Sequence, residues 1–135
     1  MGRRVPGGRL VGVHVLVVDD NADARDLFRA ILQYAGALVS VAESAEQALA
    51  VLDRVVPDVV VTDIAMPERD GYWLIEQLRA REAKAGRVVP AIAVTAHAER
   101  RPSHFLAAGF QGHLRKPIDP EELCRLVDTL GRRRA

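Results

Sequence analysis

The chain has 135 residues, of which 49% are hydrophobic and 27% charged, and its formal net charge is +1. These values are typical of one globular domain with one core. No apolar run approaches the about 20 residues that a membrane-spanning helix needs, which argues against a membrane protein.

The basic residues are unevenly distributed, because several arginines lie near the two ends of the chain: Arg3, Arg4, Arg9, Arg132, Arg133 and Arg134. We interpret residues 1–12 as a flexible basic segment and residues 132–135 as a basic tail, with one domain spanning 13–131. The body between them is acidic and aromatic residues are only 4% of the chain, so binding to nucleic acid is not expected. The single cysteine excludes an internal disulfide, and we expect a cytoplasmic protein.

Apolar, β-branched runs alternate with helical patterns along the chain and predict buried parallel strands. The predicted strands span 13–18, 38–41, 59–62, 91–94 and 113–115. Capping and stop signals delimit the helical patterns. The predicted helices span 21–34, 44 to between 52 and 55, 73–78 with a gradual end in the charged stretch 79–87, 102–109, and 119–130. This alternation indicates an α/β fold whose parallel sheet carries helices on both faces.

Polar side chains follow four of these strands where each strand ends. Asp19 and Asp20 follow the first, Asp63 the third, Thr95 the fourth and Lys116 the fifth. The carboxyl ends of parallel strands share one edge of the sheet, where ligands bind in such folds. Carboxylate oxygens suit Mg²⁺, and a carboxylate beside that metal can attack phosphorus. Each residue also has a plainer interpretation as a helix cap, a turn residue, a strand residue or a surface charge.

The set resembles the receiver domain of bacterial two-component response regulators over most of the chain. The motifs that carry the resemblance are Asp19-Asp20, Asp63 with Met66-Pro67 and Asp70-Gly71, Thr95-Ala96, and Lys116-Pro117. The resemblance implies a five-stranded, flavodoxin-like (βα)5 sheet of strand order 2-1-3-4-5 and a cis bond before Pro117.

The resemblance also implies a role for each motif. Asp63 would be the phospho-acceptor. The ligands of Mg²⁺, or of Mn²⁺ in its place, would be Asp19, Asp20, Asp63 and the backbone carbonyl of Ala65. The phosphoryl oxygens would be held by Thr95, the Ala96 N–H and Lys116. Phosphorylation would move Thr95 and His113 and change the surface of the fourth helix, fifth strand and fifth helix.

The implied phosphoryl donor is a histidine kinase or a histidine phosphotransfer protein, and the output partner is a protein that the sequence does not identify. The chain would be a monomer or a phosphorylation-dependent dimer, and would catalyse only its own phosphorylation and dephosphorylation. Two alternatives stay open. One is a Mg²⁺-dependent phosphatase with an aspartyl nucleophile, although Ala65 stands where such enzymes carry a second acid. The other is a docking module that is never phosphorylated.

Overall fold

A computed structural model of the chain describes residues 7–96 and 101–132. Its five strands form one parallel sheet in the order β2-β1-β3-β4-β5, as expected. The strands are β1 (His14–Val18), β2 (Leu38–Ala42), β3 (Val59–Asp63), β4 (Ala91–Thr95) and β5 (Gly112–Arg115). The helices are α1 (Ala22–Tyr34), α2 (Ala45–Leu52), α3 (Gly71–Ala85), α4 (Pro102–Ala108) and α5 (Pro120–Gly131).

The core consists of two apolar layers, one on each face of the sheet. Alternate residues of the interior strand β1 point into opposite layers, because side chains alternate across a strand. Val15 and Val17 pack with α1 and α5, whereas Leu16 and Val18 pack with α2, α3 and α4. Both faces are therefore covered, and the α/β prediction is confirmed. None of the helices in 7–96 and 101–132 has the length and apolar character required to cross a bilayer.

Four helices begin at a side chain that accepts a hydrogen bond from the first turn. Asn21 accepts from the Ala24 N–H at 2.9 Å, and Ser44 accepts from Gln47 at 3.0 Å. The carboxylates of Asp70 and Asp119 do the same for α3 and α5. These caps satisfy amide groups that have no partner within the helix. They also set where each helix begins, close to the sheet edge that carries the candidate site.

Helix α3 ends within the predicted stretch 79–87, but it stays regular there instead of ending gradually. Arg79 donates to the Gly109 carbonyl at 2.8 Å and to the Val89 carbonyl at 2.9 Å, and it forms an ion pair with Glu82. Glu82 is buried and also accepts from the Val89 N–H. These contacts keep the charged turns helical until Gly86, whose φ of 73° ends the helix in the left-handed region.

The segment 7–12, which the sequence indicated would be flexible, packs against the rest of the molecule. Leu10 is fully buried, and its N–H donates to the Ala35 carbonyl at 2.7 Å. Arg9 lies 3.3 Å from the carboxylate of Asp128 on α5, and Arg132 contacts the same carboxylate at 2.7 Å. Both arginines are therefore paired with this acid. Residues 1–6 and 133–135 lie outside the described residues, and the domain boundaries stay a prediction.

Candidate functional site

The register of the sheet places the polar strand ends along one edge. Val18 pairs with Thr62, so Asp19 follows β1 at the level of Asp63 at the end of β3. Asp63 pairs in turn with Val94, and Thr95 is the next residue of β4. Thr95 also accepts a backbone hydrogen bond from Lys116, which follows β5, at 2.9 Å. Residues 97 positions apart in the chain therefore meet at one end of the sheet.

Three carboxylates and one ammonium form the centre of this edge. Asp19, Asp20 and Asp63 each offer an oxygen, and these oxygens all lie within 4.8 Å of one another. Asp19 and Asp63 are buried, whereas Asp20 is exposed. Lys116 Nζ lies 3.4 Å from Asp19 Oδ2 and 3.8 Å from Asp63 Oδ2. Among these four side chains, Lys116 is thus the one cation, and it pairs with two of the three acids.

The environment of Asp63 disfavours its charged form. Burial, followed by the Asp19 carboxylate, raises the pKa of Asp63, and Asp20 adds to this effect. The Lys116 ammonium and a hydrogen bond from the Ala65 N–H act in the opposite direction but do not cancel it. A carboxylate that is short of compensating positive charge is a favourable site for a cation.

The donor set fits Mg²⁺. Magnesium binds hard oxygen ligands, usually one or two carboxylates together with water, and the exposed carboxylate of Asp20 leaves one side open to solvent. Asp19, Asp20 and Asp63 are the side chains that would hold the ion. Ala65 lies exposed two residues after Asp63, and the role of its carbonyl as a further ligand stays a prediction.

Thr95, Ala96 and His113 lie around this centre. Thr95 is half-buried and Ala96 is exposed, at the last described position before residue 101. His113 is half-buried on β5 and stacks on Phe105 of α4, with the ring centroids 4.9 Å apart and the planes inclined by 12°. The Lys116–Pro117 peptide bond is cis. The structure thus places all the predicted residues at this edge or beside it, and their roles stay predictions.

Two residues near the site had no assigned role in the sequence interpretation. The Asn21 N–H donates to Asp19 Oδ1 at 2.9 Å, which fixes the orientation of that carboxylate. Gly71 approaches the backbone of β3 so closely that a Cβ atom there would lie 2.7 Å from the Asp63 carbonyl oxygen. The Asp70-Gly71 pair was visible as a motif, but a close approach between backbones leaves no other mark in a sequence.

Comparison with known proteins agrees with this geometry. The chain is 49% identical over 119 residues to an uncharacterised 14.6 kDa protein in the sodA1 3′ region of Leptolyngbya boryana, covering 87% of this chain and 89% of that protein. It is also 31% identical over 134 residues to hybrid signal transduction histidine kinase I of Dictyostelium discoideum, covering 95% of this chain. The match spans only 8% of that kinase.

Among solved structures, the receiver domain of the sensor histidine kinase PA1611 from Pseudomonas aeruginosa superposes with a TM-score of 0.79 at 32% identity. The match covers 90% of this chain and 98% of that domain, which was crystallised with a magnesium ion coordinated in its active site cleft. The family model of the response regulator receiver domain matches residues 15–128, a range that contains all three clustered carboxylates and Lys116. The chain therefore belongs to the response regulator receiver domain family of two-component signalling.

Proposed function

We propose that this receiver domain accepts a phosphoryl group on Asp63 from a phosphohistidine and uses Mg²⁺ to do so. The observation that carries the proposal is the cluster itself: three carboxylate oxygens within 4.8 Å of one another, with the Lys116 ammonium 3.8 Å from Asp63. Phosphoryl transfer requires mainly positioning and the neutralisation of charge. Asp19, Asp20 and Asp63 would supply the ligands, and a bound Mg²⁺ would neutralise charge on the phosphoryl oxygens.

The chemistry is a transfer between two nucleophiles. A carboxylate oxygen of Asp63 attacks phosphorus, the bond from phosphorus to the histidine nitrogen breaks, and the imidazole keeps the electron pair and takes up a proton. Lys116, the Thr95 hydroxyl and the Ala96 N–H hold the phosphoryl oxygens. Water later cleaves the acyl phosphate, which returns the Asp63 carboxylate and releases inorganic phosphate.

The same contacts would couple phosphorylation to a change of surface. A phosphoryl group on Asp63 gives the Thr95 hydroxyl a new hydrogen-bond partner, and movement of Thr95 changes the space beside His113. His113 stacks on the buried ring of Phe105, so a change at β5 is transmitted directly to α4. Phosphorylation favours whichever state contacts the phosphoryl group better. We propose that the surface of α4, β5 and α5 signals to a protein partner in this way.

A histidine kinase or a histidine phosphotransfer protein would be the phosphoryl donor. The similarity to receiver domains of histidine kinases supports this class of partner. We propose the cytoplasm as the location, because histidine kinases are phosphorylated there by ATP. The domain would catalyse its own phosphorylation and dephosphorylation and no other reaction.

Intact-mass measurement with acetyl phosphate tests the proposal. With Mg²⁺ we expect a labile adduct of one phosphoryl group on the wild-type protein and none on Asp63→Asn or in EDTA. Asp26→Asn, an exposed acid on α1, is the matched control and should be modified like the wild type. Sustained release of phosphate from generic phosphoesters would instead indicate a phosphatase. The absence of both an adduct and Mg²⁺ binding would indicate a docking module.

A further inference from the structure

Arg25 on α1 links three segments beside the candidate site. Its side chain is 18% exposed, so neighbouring groups cover most of it. One terminal nitrogen donates to the main-chain carbonyl of Asp19 at 2.8 Å, and the other lies 3.9 Å from Glu43 Oε2. Glu43 belongs to the loop between β2 and α2, where its N–H donates to the side chain of Gln47 at 2.6 Å. The planar fork of arginine suits two such contacts at once.

With this contact, each polar atom of Asp19 has a partner. Its N–H donates to the Ala42 carbonyl at 3.1 Å, and its carbonyl accepts from Arg25. Oδ1 accepts from the Asn21 N–H, and Oδ2 faces Lys116. Asp19 is thus fixed through its main chain and its side chain, whereas the neighbouring Asp20 is exposed.

Fixing the carbonyl of Asp19 also constrains Asp20. The peptide unit between the two residues is planar, so a restrained oxygen restrains the nitrogen of Asp20 as well. No hydrogen bond or ion pair to the Asp20 carboxylate exists within the described part of the chain. Within the described residues, this carboxylate is positioned through its own backbone, which Arg25 restrains at the Asp19 carbonyl.

We propose that Arg25 is a positioning residue for the metal site: it holds the Asp19–Asp20 peptide so that both carboxylates are oriented to bind Mg²⁺. This inference rests on the proposed function. A purely electrostatic role predicts the opposite effect, because a cation close to the carboxylates weakens the binding of a second cation. The two roles therefore differ in the sign of the change that follows removal of Arg25.

Titration of the full chain with MgCl₂ by isothermal calorimetry tests this proposal. We expect Arg25→Gln to raise the Kd for Mg²⁺ by about tenfold, the scale seen when outer partners of metal ligands are removed. Arg25→Lys, which keeps one donor for the Asp19 carbonyl, should fall between Arg25→Gln and the wild type. Glu43→Gln removes the ion pair but leaves the carbonyl contact, so its Kd should stay close to that of the wild type.

Equal or tighter Mg²⁺ binding by Arg25→Gln would overturn the proposal, and so would an equal loss in Glu43→Gln. Urea unfolding of each variant in EDTA shows whether it is folded, and Arg25→Lys serves as the test variant if Arg25→Gln is not. Failure of the proposed function looks different, because the wild-type protein itself would then bind no Mg²⁺ and form no phosphoryl adduct.

Discussion

The Lys116 ammonium lies 3.4 Å from the Asp19 carboxylate, although the two residues are 97 positions apart in the chain. The contact joins the end of the interior strand β1 to the end of the edge strand β5. Because Asp19 is almost completely buried, its charge requires a partner of opposite sign. Lys116 supplies that charge on a side chain that is 31% exposed. Under the proposed function, Lys116 would compensate the acids before phosphorylation and contact the phosphoryl group after it.

Replacement of Lys116 should separate phosphorylation from its structural consequence. We expect Lys116→Ala to bind Mg²⁺ at least as tightly as the wild type does, because the three carboxylates remain and a competing cation is removed. The backbone amide shifts of β5 and α4 that acetyl phosphate induces in the wild type should be strongly reduced, as measured by ¹⁵N NMR. Lys84→Ala, at an exposed position of α3, is the matched control. Wild-type shift changes in Lys116→Ala would contradict the role assigned to Lys116.

Removal of the charge of Asp63 should stabilise the metal-free protein. Burial and the Asp19 carboxylate raise the pKa of Asp63 above its ordinary value of 3.8. The charged form of this side chain therefore destabilises the folded state relative to the neutral form. The stability that the neutral Asp63 carboxyl contributes is fully present below pH 3.8 and is lost as the pH rises through the pKa of the folded state. At neutral pH, in EDTA, we therefore expect Asp63→Asn to raise the free energy of unfolding.

Urea unfolding at a series of pH values measures this effect, and Asp26→Asn is again the control. The gain in Asp63→Asn should shrink as the solution is acidified, because the wild-type carboxyl is then neutral as well. A gain that is independent of pH would show that the charge of Asp63 is not its cause.

A methyl group at position 71 should disturb both the fold and the site. In Gly71→Ala the new Cβ would lie 2.7 Å from the Asp63 carbonyl oxygen and 2.9 Å from Ile64 Cα, both backbone atoms that cannot move independently. We expect a loss of about 2 kcal/mol in the free energy of unfolding, together with slower labelling by acetyl phosphate. Gly7→Ala is the matched control, since its Cβ would have only an ordinary contact at 3.8 Å. Equal stability of the two variants would refute the steric argument.

The contact between the N-terminal segment and α5 should contribute stability that depends on pH. Burial would raise the pKa of Asp128, but hydrogen bonds from Arg132 and Arg9 outweigh it and lower this pKa below 3.8. The contribution is therefore present above pH 3.8 and is lost as the pH falls through the pKa of the folded state.

At neutral pH we expect Asp128→Asn to lose up to about 1 kcal/mol, because the pair is partly exposed to solvent. The difference from the wild type in urea unfolding should diminish in acid and in high salt. A deficit that persists unchanged at the lowest pH at which both proteins fold would mean that the charge is not responsible.

Local patterns were sufficient to predict the strands and the cluster. Each strand is a short apolar run, and the parallel topology brings Asp19, Asp63 and Lys116 to one edge without further information. The end of α3 was not predictable in this way, because Arg79 reaches Gly109, 30 residues away. The packing of Leu10 was not predicted either, because its contact with Ala35 also joins distant parts of the chain. The glycine-rich sequence around Leu10 shows neither a helical nor a strand pattern. Contacts made across the fold, rather than propensity, determine both features.

The pairing of Arg9 and Arg132 with one carboxylate has a topological consequence. Arg132 also donates to the carbonyls of Arg9 and Val11, at 3.0 and 2.9 Å, so the chain enters and leaves the folded body at neighbouring points. A domain whose two ends lie close together can be inserted into a surface loop of a host protein without separating the ends of that loop. This receiver is consequently suited to act as a cassette within a longer polypeptide.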